Sequence, residues 1–175
     1  MILTVSAMAQ TVQKTDLGLK TKINATDVEI QFYTPSTVRV IKSPEGKTVT
    51  KNSLSVIKKP QTTKFAVNEQ KGVISLKSEK LKISIDTKSG KITYATVEGK
   101  LLLSEKEAGA TFTDFDDAGS KTYTIKQSFV LDKEEGIYGL GQQQQGKMSQ
   151  RNVRINMVQG NTDDYVPFFV STKGY

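Results

Sequence analysis

The sequence predicts an all-β fold, an antiparallel β-sandwich. Short runs in which apolar and polar residues alternate start about every ten residues along the chain. Glycine-bearing turn clusters fall between these runs, where a tight connection needs positive φ. No window keeps helical spacing for long. The best helical stretch, Leu103 to Ala110, is stopped by Gly109 after about two turns.

From the N-terminus, residues 1–9 stand apart. Ile2-Leu3-Thr4-Val5 is apolar, and Ala7-Met8-Ala9 before Gln10 has the shape of a signal-peptidase site, although no basic stretch precedes it. Two readings stay open: the remnant of an export signal, which would place the protein in the periplasm or outside the cell, and a frayed apolar terminus. Residues 10–175 are expected to form one sandwich domain. Gln10 to Asp27 reads as polar and irregular.

The alternating runs begin at Val28, Ile30 and Phe32, and continue at Val38 and Val40 around Arg39. Leu54 with Val56, Phe65 with Val67, Ile74 with Leu76, and Leu81 with Ile83 and Ile85 follow. Tyr123, Ile125, Phe129 and Leu131 share one parity, and Val153, Ile155 and Met157 another. Each run fits a strand with one face in a core and one in water. Turns are expected at Pro44-Glu45-Gly46-Lys47, at Lys88-Ser89-Gly90-Lys91 and at Glu98-Gly99. Phe168-Phe169-Val170, opened by Pro167, reads as a buried strand entered at its first residue.

Composition narrows the chemistry. The 175 residues are 36% hydrophobic and 25% charged, which suits an ordinary globular chain rather than a disordered one. There is no cysteine, hence no disulfide and no thiolate site, and no histidine, hence no Ser-His-Asp triad. The net charge of +7 comes mostly from scattered lysines, with three arginines. That pattern suits solvated strand faces better than a nucleic-acid reader, which clusters Arg with aromatics. No stretch is long enough to cross a bilayer as a helix. Neither a nucleic acid nor a membrane is expected as a partner, and no cofactor.

Three constellations carry residue types that could support chemistry. Asp114-Phe115-Asp116-Asp117 has oxygen ligands but neither the spacing nor the closing Glu of a calcium loop, so it reads as a solvated turn and no metal site is expected. Gly139-Leu140-Gly141 lacks the third glycine and following helix of a dinucleotide site. Asp163 and Asp164 are adjacent, so on a strand they leave on opposite faces and cannot by themselves flank a glycosidic bond. No catalytic residue is assigned to this chain.

The densest stretch runs from Glu134 to Tyr175. Tyr138-Gly139-Leu140-Gly141, then Asn161-Thr162-Asp163 about twenty residues on, then Pro167-Phe168 and Ser171-Thr172-Lys173-Gly174-Tyr175 together resemble the N-terminal part of glycoside hydrolase family 31, the retaining α-glucosidases and α-xylosidases. Val38-Arg39-Val40 fits the same resemblance. Two features depart from it: Gln142 stands where the family often has Glu, and the chain has no Trp. The resemblance implies a galactose mutarotase-like β-sandwich that is itself non-catalytic, with both catalytic carboxylates on a (β/α)₈ barrel C-terminal to it. Such a barrel needs about 250 residues of its own.

The resemblance further implies that the sandwich packs on that barrel and lends a loop to the substrate site. Asp163 is then a substrate-binding residue, with Asn161 forming its turn; the other reading of Asp163 is an Asx-turn residue without a ligand. The partner the resemblance implies is an α-linked glucoside or xyloside, met through the full-length enzyme. The Asn-Thr-Asp and Phe-Val-Ser variants lean toward the xylosidases. Apart from its barrel the domain is expected to self-associate. The alternative function is a stand-alone carbohydrate-binding or surface-interaction sandwich, which would normally expose aromatics to stack on sugar rings.

Overall fold

The computed structural model describes residues 12–49, 53–144 and 146–175, so the export-signal reading of residues 1–9 lies outside the described residues. The described residues contain no helix. They fall into two compact units, one ending at Phe129 and one running from Val130 to Tyr175.

The first unit is a sandwich of two antiparallel sheets. One holds β1 (Gln13–Thr15), β2 (Gly18–Ile23), β3 (Thr26–Thr34) and β4 (Thr37–Pro44), in that order. The other holds β5 (Ala66–Gln70), β6 (Val73–Lys77), β7 (Leu81–Asp86), β8 (Ile92–Thr96), β9 (Leu101–Asp117) and β10 (Ser120–Val130), ordered β10-β9-β8-β7-β6-β5. Every neighbour is also a sequence neighbour, which is the meander that short turns allow.

Alternation decides which faces meet. Leu19, Ile23, Val28, Ile30 and Phe32 from the smaller sheet pack with Ile74, Leu76, Leu81, Ile83, Ile85 and Ile92 from the larger. Burying each such side chain contributes about 1.5–3 kcal/mol. The register Val28↔Lys42, Ile30↔Val40 and Phe32↔Val38 sets the inward row of β3 beside that of β4. A slip of one residue would turn the whole set to water.

Several expectations are corrected. The segment around Leu19 to Ile23, read as irregular, is strand β2, with Leu19, Thr21 and Ile23 inward and Lys20 and Lys22 outward. Leu103 to Ala110 is part of strand β9, not a helix. Positive φ at Glu107 (52°) and Gly109 (76°) kinks that strand, and a Cβ at Gly109 would overlap the Glu105 carboxylate. Leu54 and Val56 lie in a loop and are exposed, and 153–158 makes no strand. Of the three turns, two join hairpins. Gly90 (φ 77°) links β7 to β8, where the Asp86 carboxylate accepts the Ser89 amide at 2.7 Å, and Gly99 (φ 94°) links β8 to β9. The turn at Gly46 instead ends β4.

The stretch Asp114 to Asp117 leads into the β9–β10 turn. Asp116 accepts the Gly119 amide at 2.7 Å and pairs with Lys121 at 2.5 Å, so its carboxylate closes the hairpin.

The second unit is built on one antiparallel hairpin, β11 (Ile137–Gln142) with β12 (Asp164–Ser171). Val166, Phe168 and Val170 follow one another along one face of β12 and are 51%, 64% and 44% exposed. The strand was expected to be buried. Within this unit, this face of it is open.

Candidate functional site

The site is assembled around the glycines of β11. Gly139, Leu140 and Gly141 have φ of 107°, 65° and 95°, and the β11–β12 register shifts between Gly139 and Gly141. Glycine is needed at both flanks because the partner strand comes close. A Cβ at Gly139 would sit 2.8 Å from the Phe168 carbonyl oxygen. One at Gly141 would overlap the Asp164 carbonyl and lie 2.8 Å from Tyr165 Cα. Leu140 holds its positive φ between them, a conformation a non-glycine residue keeps only where its surroundings impose it.

Beyond this bulge the chain turns at Gln143 and Gln144 and meets the loop 159–163. The Gln144 amide donates to Asp163 Oδ1 at 3.2 Å. The loop is closed by the Gly160 amide donating to the Asp163 carbonyl at 3.2 Å. It is tied to β12 by the Gln159 side chain, which accepts the Tyr165 amide at 2.8 Å and donates to the Tyr165 carbonyl at 2.9 Å. That amide group acts as one more rung of the ladder. Burial, and then the neighbouring Asp163 carboxylate, push the Tyr165 phenol above its usual range.

The two residues singled out from sequence therefore differ. Asp163 is half-buried, with its carboxylate anchored on one side by the Gln144 amide. Asn161 is exposed, and its side chain has no hydrogen-bond partner among the described residues. Asp164 is exposed and begins β12 opposite Gln142. A carboxylate has about four acceptor positions, so Asp163 keeps capacity for further donors.

Sequence reasoning missed a second group, at the other end of the β11–β12 hairpin, where Ile137 faces Ser171. Glu135 is 3% exposed. Its Oε1 accepts the Ser171 hydroxyl at 2.5 Å and the Tyr175 phenol, and its Oε2 accepts the Asp132 amide at 2.9 Å. Its backbone carbonyl accepts Arg151 Nη1 at 2.7 Å, and Lys173 pairs with Asp132 at 2.7 Å. Burial by itself would raise the Glu135 carboxyl, but the hydrogen bonds from Ser171, Tyr175 and Asp132, with the Lys173 charge, hold it below the usual range. The Tyr175 phenol is pushed up to about 12, by burial first and by its bond to Glu135 second.

The Ser-x-x-Gly-Tyr element is thus a folded unit. The Ser171 amide donates to the Tyr175 carbonyl at 2.7 Å, Gly174 turns at φ 88°, and Tyr175 meets Phe169 edge-on with centroids 6.4 Å apart. The signal in the sequence was the acid directly before the glycine-rich strand, whose role depends on partners 36 and 40 residues away.

Among the described residues, no group of three acidic, histidine or cysteine side chains is placed to hold a metal ion.

Residues 27–175 match the model of the glycosyl hydrolase 31 N-terminal galactose mutarotase-like domain. The chain is 30% identical over 166 residues to an α-xylosidase of Saccharolobus solfataricus, covering 88% of this chain and 22% of that protein. Among solved structures, the family 31 α-xylosidase of Xanthomonas citri superposes with a TM-score of 0.86 at 31% identity, over 93% of this chain and 18% of that one. The family 31 dextranase of Flavobacterium johnsoniae shares the fold with a TM-score of 0.70 at 23% identity, over 94% of this chain and 21% of its own. The chain spans about a fifth of the length of these relatives.

Proposed function

The chain belongs to glycoside hydrolase family 31, and from that premise we propose that it is the non-catalytic N-terminal sandwich of a retaining α-glycosidase acting on α-xylosides. The observation that carries the reading is the match across 27–175 together with the anchored Asp163 loop. Retaining hydrolysis needs an acid/base and a nucleophilic carboxylate about 5–5.5 Å apart across the scissile bond. In this proposal both belong to a barrel C-terminal to Tyr175, on which the sandwich packs.

Asp163 is the residue the sandwich lends to the substrate. The Gln144 amide and the Gln159 clamp set its loop on a strand pair, and a carboxylate held this way can accept hydrogen bonds from sugar hydroxyls near the cleaved bond. Export to the periplasm or the cell exterior is part of the proposal and rests on Ala7-Met8-Ala9.

The test is direct. The reading frame beyond Tyr175 should continue into a (β/α)₈ barrel, and the 175-residue chain alone should not hydrolyse aryl α-xylosides. A stop codon after Tyr175, or turnover by the purified chain, overturns the reading.

A further inference from the structure

The loop between β4 and β5 presents the most exposed aliphatic side chains among the described residues. Leu54 is 98% exposed and Ile57 93%, with Val49 and Val56 about half exposed. Single exposed aliphatics are ordinary, but four within nine residues are not. The loop is shaped rather than slack at this point: the Ser53 hydroxyl accepts the amides of Ser55 at 3.3 Å and Val56 at 3.1 Å. That turn leaves Leu54 at its tip.

The same segment is basic. Residues 46–68 hold five lysines and no aspartate or glutamate. Between the loop and β4 lies a trough of about 660 Å³, with Arg39, Lys58 and Lys59 on its walls beside Tyr33 and Val56. None of these three cations has an ion-pair partner among the described residues, whereas Lys20, Lys22 and Lys42 on the same sheet each do.

We propose that this loop docks on an anionic lipid bilayer. Leu54 and Ile57 enter the boundary between headgroups and acyl chains, and Arg39, Lys58 and Lys59 meet the lipid phosphates. A partner that engages both halves must be apolar and anionic at once. A nucleic acid or acidic polysaccharide would pair the cations but leave the aliphatic tip in water, while an uncharged apolar partner would desolvate the cations unpaired. An anionic bilayer supplies apolar depth and negative charge in one place. The expectation of no membrane partner rests on the lack of a stretch long enough to cross a bilayer; a loop that sets cations beside an aliphatic tip needs no such stretch to rest on one.

Vesicle co-sedimentation of the 175-residue chain tests this, using phosphatidylcholine with and without phosphatidylglycerol. Binding is expected only with phosphatidylglycerol. Leu54→Asp/Ile57→Asp should weaken it about tenfold or more, and Lys58→Glu/Lys59→Glu by about tenfold. The charge-matched control Lys100→Glu/Lys106→Glu, on exposed residues at and near the β8–β9 turn, should leave it within about twofold of the parent. No binding, or equal loss in the control, overturns the proposal. Self-association relieved by Leu54→Asp/Ile57→Asp, without vesicle binding, would assign the tip to a second copy of the chain and also overturn it.

Discussion

Lys42 Nζ lies 2.7 Å from Glu105 Oε2 between the two sheets, with the two side chains only 6% and 3% exposed. Glu105 also accepts the Ile92 amide at 2.8 Å and Gln127 Nε2 at 3.2 Å, and Lys42 also donates to the Ala108 carbonyl at 2.9 Å. The pair joins β4 to β9 and fixes the kink at Gly109, over which the carboxylate rests.

Removing one partner leaves the other charge buried and alone. Lys42→Met or Glu105→Leu should each cost about 3–5 kcal/mol in urea unfolding. The double variant should cost clearly less than the sum, because no unpaired charge remains. Simple additivity would show that the two residues do not act as a unit.

Glu135 predicts an acid limb. Its folded pKa is lowered, so the stability it contributes is present above the unfolded glutamate pKa, about 4.3, and is lost as pH falls through the lower folded value. Glu135→Gln should therefore melt well below the parent at pH 7, and the gap should close as pH drops under about 4. At the alkaline end the sign reverses. The phenol of Tyr175 is raised to about 12, so its contribution is full below about 10 and fades above that. A gap between parent and Glu135→Gln that does not change with pH would separate Glu135 from this linkage.

The glycines of β11 should be far less replaceable than a turn glycine. Gly46→Ala meets open space and bears only the cost of positive φ, about 1–2 kcal/mol. Gly141→Ala adds overlap with the Asp164 carbonyl, so it should cost more and broaden the amide signals of Asp163 to Tyr165. Equal costs at the two positions would show that β12 can move away.

In a polypeptide extended through the proposed barrel, Asp163→Ala should lower kcat/KM about ten- to a hundredfold, the loss of a well-placed charged hydrogen bond. Its half-buried contact with the Gln144 amide should cost about 1 kcal/mol of stability. Asp164→Ala, exposed at the start of β12, should change activity much less. Unchanged kinetics for Asp163→Ala would leave the loop with a structural role alone.

The open face of β12 should make the isolated chain associate at high concentration, in spite of its +7 charge. Phe168→Ser, at a 64% exposed position, should shift sedimentation toward monomer. A parent chain that stays monomeric at every concentration would count against a partner for this face.

The sequence by itself determined the all-β class and much of the core. The alternation at Val28, Ile30 and Phe32 and at Leu81, Ile83 and Ile85 is a property of neighbours two apart, and each of these positions is inward. The glycine turns at Gly90 and Gly99 were legible for the same local reason. The family was legible too, because Tyr138 to Gly141 and Ser171 to Tyr175 keep their spacing along the chain.

Contacts distant in sequence decided the rest. Leu103 to Ala110 carries helix formers, yet pairing with β8 and the Lys42–Glu105 bond make it a strand. Val153, Ile155 and Met157 alternate as a strand would, but find no partner to complete a ladder. Glu135 became a buried hub only when the fold brought Ser171 and Tyr175 to its carboxylate. Period-two patterning records which way a side chain faces; it carries no record of which strand lies across from it, and that pairing is what turned one glutamate into an anchor and left the aliphatics at 54 and 57 in water.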